Sequence, residues 1–182
     1  MRTLHYAILG LLAEGPAHGY LLRDAFAPGG ELGAVLRVEP PTLYAALKDL
    51  QASGAIEGRE RRAGARPPRV EYRLTGAGRE AFERWLRQPV ERLREVRSAF
   101  LLKVYFLRRR DACALRELVR DQIAACARYL DALEAWAAAL PSESWLALVA
   151  ESRTTAARST LAWLRTYEAR LDDEQAAGRG GS

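Results

Sequence analysis

Lysine is nearly missing from this chain: of 28 basic residues only Lys48 and Lys103 are lysine, so arginine carries the positive charge. Cysteine is scarce as well. Cys113 and Cys126 stand by themselves, and on a shared helix they would lie about 20 Å apart, too far to bond each other. They read as small apolar residues of a reducing compartment. The two histidines, His5 and His18, have no partner ligands at metal-binding spacing, so neither a metal nor any other cofactor is expected. Long apolar runs are also lacking. The longest, residues 99–107, is broken by Lys103 and falls well short of the ~20 residues that span a bilayer. The apolar stretch 8–12 is followed too soon by Glu14, and Gly15-Pro16-Ala17-His18 is a poor cleavage site, so no export signal is expected. There is no Gly-x-Ser-x-Gly, no phosphate-cradling glycine loop and no partnered nucleophile, so no catalytic residue is assigned and an enzyme is not expected.

What is present is ordinary globular material: 182 residues, 49% hydrophobic and 28% charged, with a formal charge of +5. That suits one domain or two small ones. Leu4, Ile8, Leu11 and Leu12 have helical spacing, and Gly15-Pro16 stops the helix. A second helix is expected over about 18–27, closed by Pro28-Gly29-Gly30. A third starts near Pro41, where proline suits a first turn. Its Leu43, Leu47 and Leu50 form one apolar stripe, and Gly54 sits where a C-terminal cap belongs. The period then changes. Residues 55–61 and 69–74 read as strands, with Val70, Tyr72 and Leu74 alternating against Glu71 and Arg73. Thr75 is placed to cap a fourth helix carrying Ala81, Phe82, Trp85 and Leu86. After Pro89 the pattern is helical nearly to the end, including a long stripe from Leu115 through Ile123 and Cys126 to Leu140 and a last helix capped by Ser142 or Ser144. The expected division is residues 1–88, residues 89–175 and a disordered tail, 176–182.

Three helices followed by two strands with a basic loop is the order of a winged helix-turn-helix. The expected fold is mainly α with a two-stranded wing, and with long C-terminal helices for dimerisation. In this unit the third helix packs its leucines inward and offers its other face to the major groove. Tyr44 and Lys48 lie on that other face and are candidate contacts to phosphates or base edges. Thr42 at the helix start is a candidate phosphate contact. Between Arg59 and Arg73 six arginines face two acids, a local +4, suited to neutralising phosphates. Arg66 and Arg69, flanking Pro67-Pro68, are the leading candidates there. Phe100, Trp136 and Trp163 are candidate walls of an effector pocket, since ligand sites are largely apolar and aromatic.

His18-Gly19-Tyr20, Pro41-Thr42-Leu43-Tyr44 with Leu47 and Leu50, Gly54-Ala55-Ile56, and Tyr72-Arg73-Leu74-Thr75 with Gly78-Arg79 resemble the PadR-type transcriptional regulators. The resemblance runs over residues 4–86. It implies a cytoplasmic bacterial homodimer whose C-terminal helices pair. Two winged helices would then read a palindrome in double-stranded DNA, usually to repress transcription. It implies Tyr20 as a backbone contact and a small aromatic or cationic hydrophobic effector, with no membrane partner. The alternative is a winged-helix protein-interaction adaptor that docks through its long helices and reads no DNA sequence. The arginine-rich wing and the Tyr44–Lys48 face favour DNA.

Overall fold

The structure, a computed structural model, describes residues 1–61 and 69–180, and of residues 61, 69 and 178–180 the backbone alone. The chain forms two compact units. The first comprises Met1–Arg87 and Arg97–Phe106; the second comprises Gln88–Val96 and the chain from Leu107 onward.

The first unit opens with α1 (Thr3–Glu14), β1 (Ala17–His18), α2 (Gly19–Ala25) and α3 (Pro40–Ala52). Then come β2 (Ile56–Arg61), β3 (Arg69–Leu74), α4 (Gly76–Leu86) and the first two turns of α5 (Ala99–Arg110). The leucine stripe of α3 is buried as its spacing requires: Leu43, Leu47 and Leu50 are each 1% exposed. The helix ends in a Schellman motif. Gly54 takes φ +70°, its N–H bonds the Gln51 carbonyl, and the Ala55 N–H reaches back to the Leu50 carbonyl, both at 3.0 Å. Thr75 caps α4, its hydroxyl oxygen accepting from the Gly78 N–H at 3.1 Å. The connection from α2 to α3 has no periodic pattern, and it is pinned by Leu32, 1% exposed.

The sheet has three strands in the order β1-β3-β2, all antiparallel, where two were expected. β1 is only two residues long, Ala17 opposite Tyr72 and His18 opposite Glu71, too short for alternation to announce it. The loop expected between the wing strands lies outside the described residues.

Residues 97–106, expected in the C-terminal region, pack into the first unit. The reason lies in α1. Gly10 has no side chain, and a Cβ there would overlap the ring of Phe106. Phe106 also meets Phe82 edge to face at 5.3 Å. The buried Lys103 ammonium sits 4.7 Å over the ring of Trp85, whose plane stacks on Tyr6 at 4.7 Å.

The second unit is dominated by α6 (Ala112–Ala138) and α7 (Trp145–Gly180). Asp111 caps α6 by accepting from the Ala114 N–H at 2.9 Å, and Ser144 does the same for Ala147 at 3.1 Å. Ion pairs Glu134–Arg158 at 2.7 Å and Arg120–Glu168 at 3.9 Å show that the helices run antiparallel. At the centre of the expected α6 stripe, Gln122 is buried and Ile123 only half-buried. The amide explains this. Its Oε1 accepts from the Val90 N–H at 2.7 Å and its Nε2 donates to the Val90 carbonyl at 3.1 Å, satisfying both backbone groups of a buried residue. Cys113 and Cys126 both lie on α6 as free thiols. Helix α7 runs to Gly180 where a tail was expected from Ala176; Glu174-Gln175-Ala176-Ala177 are all good helix formers.

Candidate nucleic-acid interface

Because Leu43, Leu47 and Leu50 anchor α3 on one side, helical geometry turns Thr42, Tyr44, Ala45 and Lys48 outward. All four are exposed, Tyr44 at 43%. Asp49, the acid next to Lys48, turns instead to Arg2 at 3.0 Å. At the head of α3, Pro40 and Pro41 carry no N–H, and the Leu43 N–H is already bonded to the Glu39 carbonyl at 3.1 Å. Thr42 therefore offers an anion its hydroxyl and its own N–H, and the rest of the helix end contributes little.

Three of the four quoted motifs meet in one place. His18, Gly19, Tyr20, Tyr44, Val70 and Tyr72 line a cleft of about 370 Å³ between α2, α3 and β3. The His18 Nδ1–H donates to the Val70 carbonyl at 3.2 Å. Its ring stacks on Tyr20, centroids 5.7 Å apart and planes within 11°. Tyr20 is 37% exposed, whereas Tyr72 is 9% exposed. Burial, and then the nearby Tyr44 hydroxyl, push the Tyr72 phenol above its ordinary value, so it stays a neutral donor and acceptor at physiological pH. Sequence reasoning missed His18, Val70 and Tyr72 as walls of this cleft. The signal was there, because His18 and Tyr72 both stand in the quoted motifs.

On the wing, Arg73 donates twice to Glu71, at 2.9 and 3.1 Å, and Arg59 pairs with Glu57 at 3.5 Å. These pairs reduce the free charge that a count of arginines suggests. Arg66 lies outside the described residues, as does the side chain of Arg69, whose backbone opens β3.

The expected pocket residues belong to both units. Phe100 is wholly buried in the first unit. In the second, Trp136 lies beneath the guanidinium of Arg153 at 6.0 Å. Trp163, 42% exposed, stacks on Tyr167 at 6.0 Å.

Residues 8–84 match the transcriptional regulator PadR-like family, and residues 96–175 match the virulence activator alpha C-terminal family. The negative transcriptional regulator PadR of Bacillus subtilis (strain 168) is 34% identical over 125 residues, which span 68% of this chain and 66% of the relative. The chain belongs to the PadR-like family of transcriptional regulators. Among solved structures it is similar to Bacillus subtilis PadR in complex with operator DNA, with 27% identity, 93% of this chain and 99% of that one covered, and a TM-score of 0.48. It is also similar to the same regulator in complex with p-coumaric acid, with 27% identity, 94% and 99% covered, and a TM-score of 0.43. No helix among the described residues is long and apolar enough to cross a membrane.

Proposed function

We propose that this PadR-family protein is a cytoplasmic repressor. It binds a palindromic operator as a homodimer and is released by a small hydrophobic, aromatic or cationic ligand. The observation that carries the reading is the two-sided α3, with three leucines sealed into the core and Thr42, Tyr44 and Lys48 exposed beside an aromatic cleft. In the major groove that outer face meets base edges and phosphates, while Tyr20 from α2 and Arg66 and Arg69 from the wing take the flanking backbone. Repression follows the Bacillus subtilis relative, a negative regulator by name. Pairing of two copies is supported by the second unit, where Trp145, Leu146 and Leu148 at the head of α7 are 73%, 49% and 56% exposed. The exposed indole of Trp163, with Trp136, would supply aromatic surface for an effector, which must favour a dimer whose two reading helices no longer match successive major grooves, about 34–36 Å apart.

The test is footprinting and gel-shift titration on palindromes upstream of the protein's own coding region. The parent is expected to protect such a site. Tyr44→Ala should weaken operator binding by about tenfold or more, as loss of one good contact per half-site implies. Arg66→Ala should weaken binding to every sequence alike. Indifference to duplex DNA would leave the adaptor reading in its place.

A further inference from the structure

Gly19 stands at the one point where β1 gives way to α2, and it is buried. Its φ lies outside the left-handed range, so the backbone here does not call for glycine. Indeed α2 would gain from alanine, the better helix former. The space does call for it. A Cβ built on Gly19 stands 3.1 Å from Cε1 of Tyr44, 3.5 Å from the Tyr44 hydroxyl oxygen and 3.6 Å from Cε2 of Tyr72. The three nearest atoms are thus tyrosine side-chain atoms of the cleft, and the one tight approach is to Cε1 of Tyr44, a residue 43% exposed, while Tyr72 is at ordinary contact distance. With a Cβ at Gly19 the Tyr44 ring would have to give by a few tenths of an ångström, so the bare backbone forms part of the floor against which the ring lies.

We propose that Gly19 is a positioning residue for DNA recognition: its bare backbone sets the depth at which the Tyr44 ring lies against α2. This inference rests on the DNA-binding reading above, and it assigns to a helix-start glycine a role in the contact made by another helix. A Cβ at the start of α2 would shift the phenol by a few tenths of an ångström from the pose that the cleft holds.

The experiment is a double-mutant cycle. The parent, Gly19→Ala, Tyr44→Ala and the double variant are titrated with operator duplex, and each is melted in parallel. Gly19→Ala is expected to unfold no earlier than the parent, yet to bind operator about tenfold more weakly, as for a misplaced hydrogen-bonding group at each half-site. In the Tyr44→Ala background the same change should cost less than about twofold, because the ring it displaces is gone. Three results would overturn the proposal: parental affinity in Gly19→Ala, an equal loss in both backgrounds, or a Gly19→Ala chain that does not fold, which would place Gly19 in the scaffold. If the parent itself holds no duplex DNA, the failure lies with the functional reading, and this inference falls with it.

Discussion

The large apolar side chains left outside differ in kind between the two units. In the first, apart from Met1 and Leu21, they are Tyr20, Tyr44 and Val70, at 37%, 43% and 37% exposed, which gather around one cleft together with Tyr72 and His18. The tyrosine hydroxyls give that surface a polar use, and the leucines of α3 behind it are buried. In the second, Trp145, Leu146 and Leu148 form an apolar group at the head of α7, farther along which Trp163 is also exposed. A surface of the first kind suits a polar partner such as a nucleic-acid backbone. One of the second kind suits another apolar surface. In the function proposed above, recognition falls to the first unit and assembly to the second.

That division can be broken at its strongest point by Phe82→Ala. Phe82 is wholly buried and packed edge-on by Phe106, so about 3–5 kcal/mol of stability should go, as for other buried phenylalanines. Urea unfolding measures it, and a loss below about 1 kcal/mol would show that the first unit does not close its own core. The corresponding change in the second unit, Trp145→Ala with Leu148→Ala, should cost little in unfolding. It should instead raise the dimer dissociation constant by about tenfold or more in sedimentation equilibrium, each tenfold being about 1.4 kcal/mol. Unchanged association would remove α7 from the interface. The smallest effect concerns His5. The Arg2 N–H donates to its Nδ1 at 3.3 Å, so Nε2 carries the proton, 3.6 Å from the Asp49 carboxylate. Burial first, and Arg2 next, hold its pKa below the ordinary 6.5, against the pull of Asp49. The unfolded chain therefore takes up this proton more readily. The stabilisation is complete above 6.5 and is lost as pH falls from there through the lower folded value. Unfolding titrations in a descending pH series should show that decline, and His5→Gln should flatten it; an identical decline in the variant would assign it to other groups.

Where a residue's local chemistry fixes the outcome, the sequence was easily read. Leu43, Leu47 and Leu50 named the buried face of α3, Gly54 its end and Thr75 the start of α4. What stayed hidden depended on partners far along the chain. Two residues of β1 are a strand only because Tyr72 and Glu71 lie opposite. Gln122 is buried only because Val90 returns its hydrogen bonds. Residues 97–106 join the first unit because Gly10 leaves a notch that a pattern search does not register. The candidate site divides in the same way. The exposed side of α3 follows from helical periodicity, whereas the cleft that adds His18, Val70 and Tyr72 exists only once α2 and β3 are brought beside it.

The outward face of α3 is tested most directly by the salt dependence of operator affinity, measured for the parent and for Lys48→Ala. If six to ten phosphates are neutralised, log affinity should fall with log salt at a slope of about −5 to −9, and Lys48→Ala should make it shallower by about 2, one contact from each copy. A slope near zero, or one that the lysine does not alter, would contradict the placement of this face against DNA.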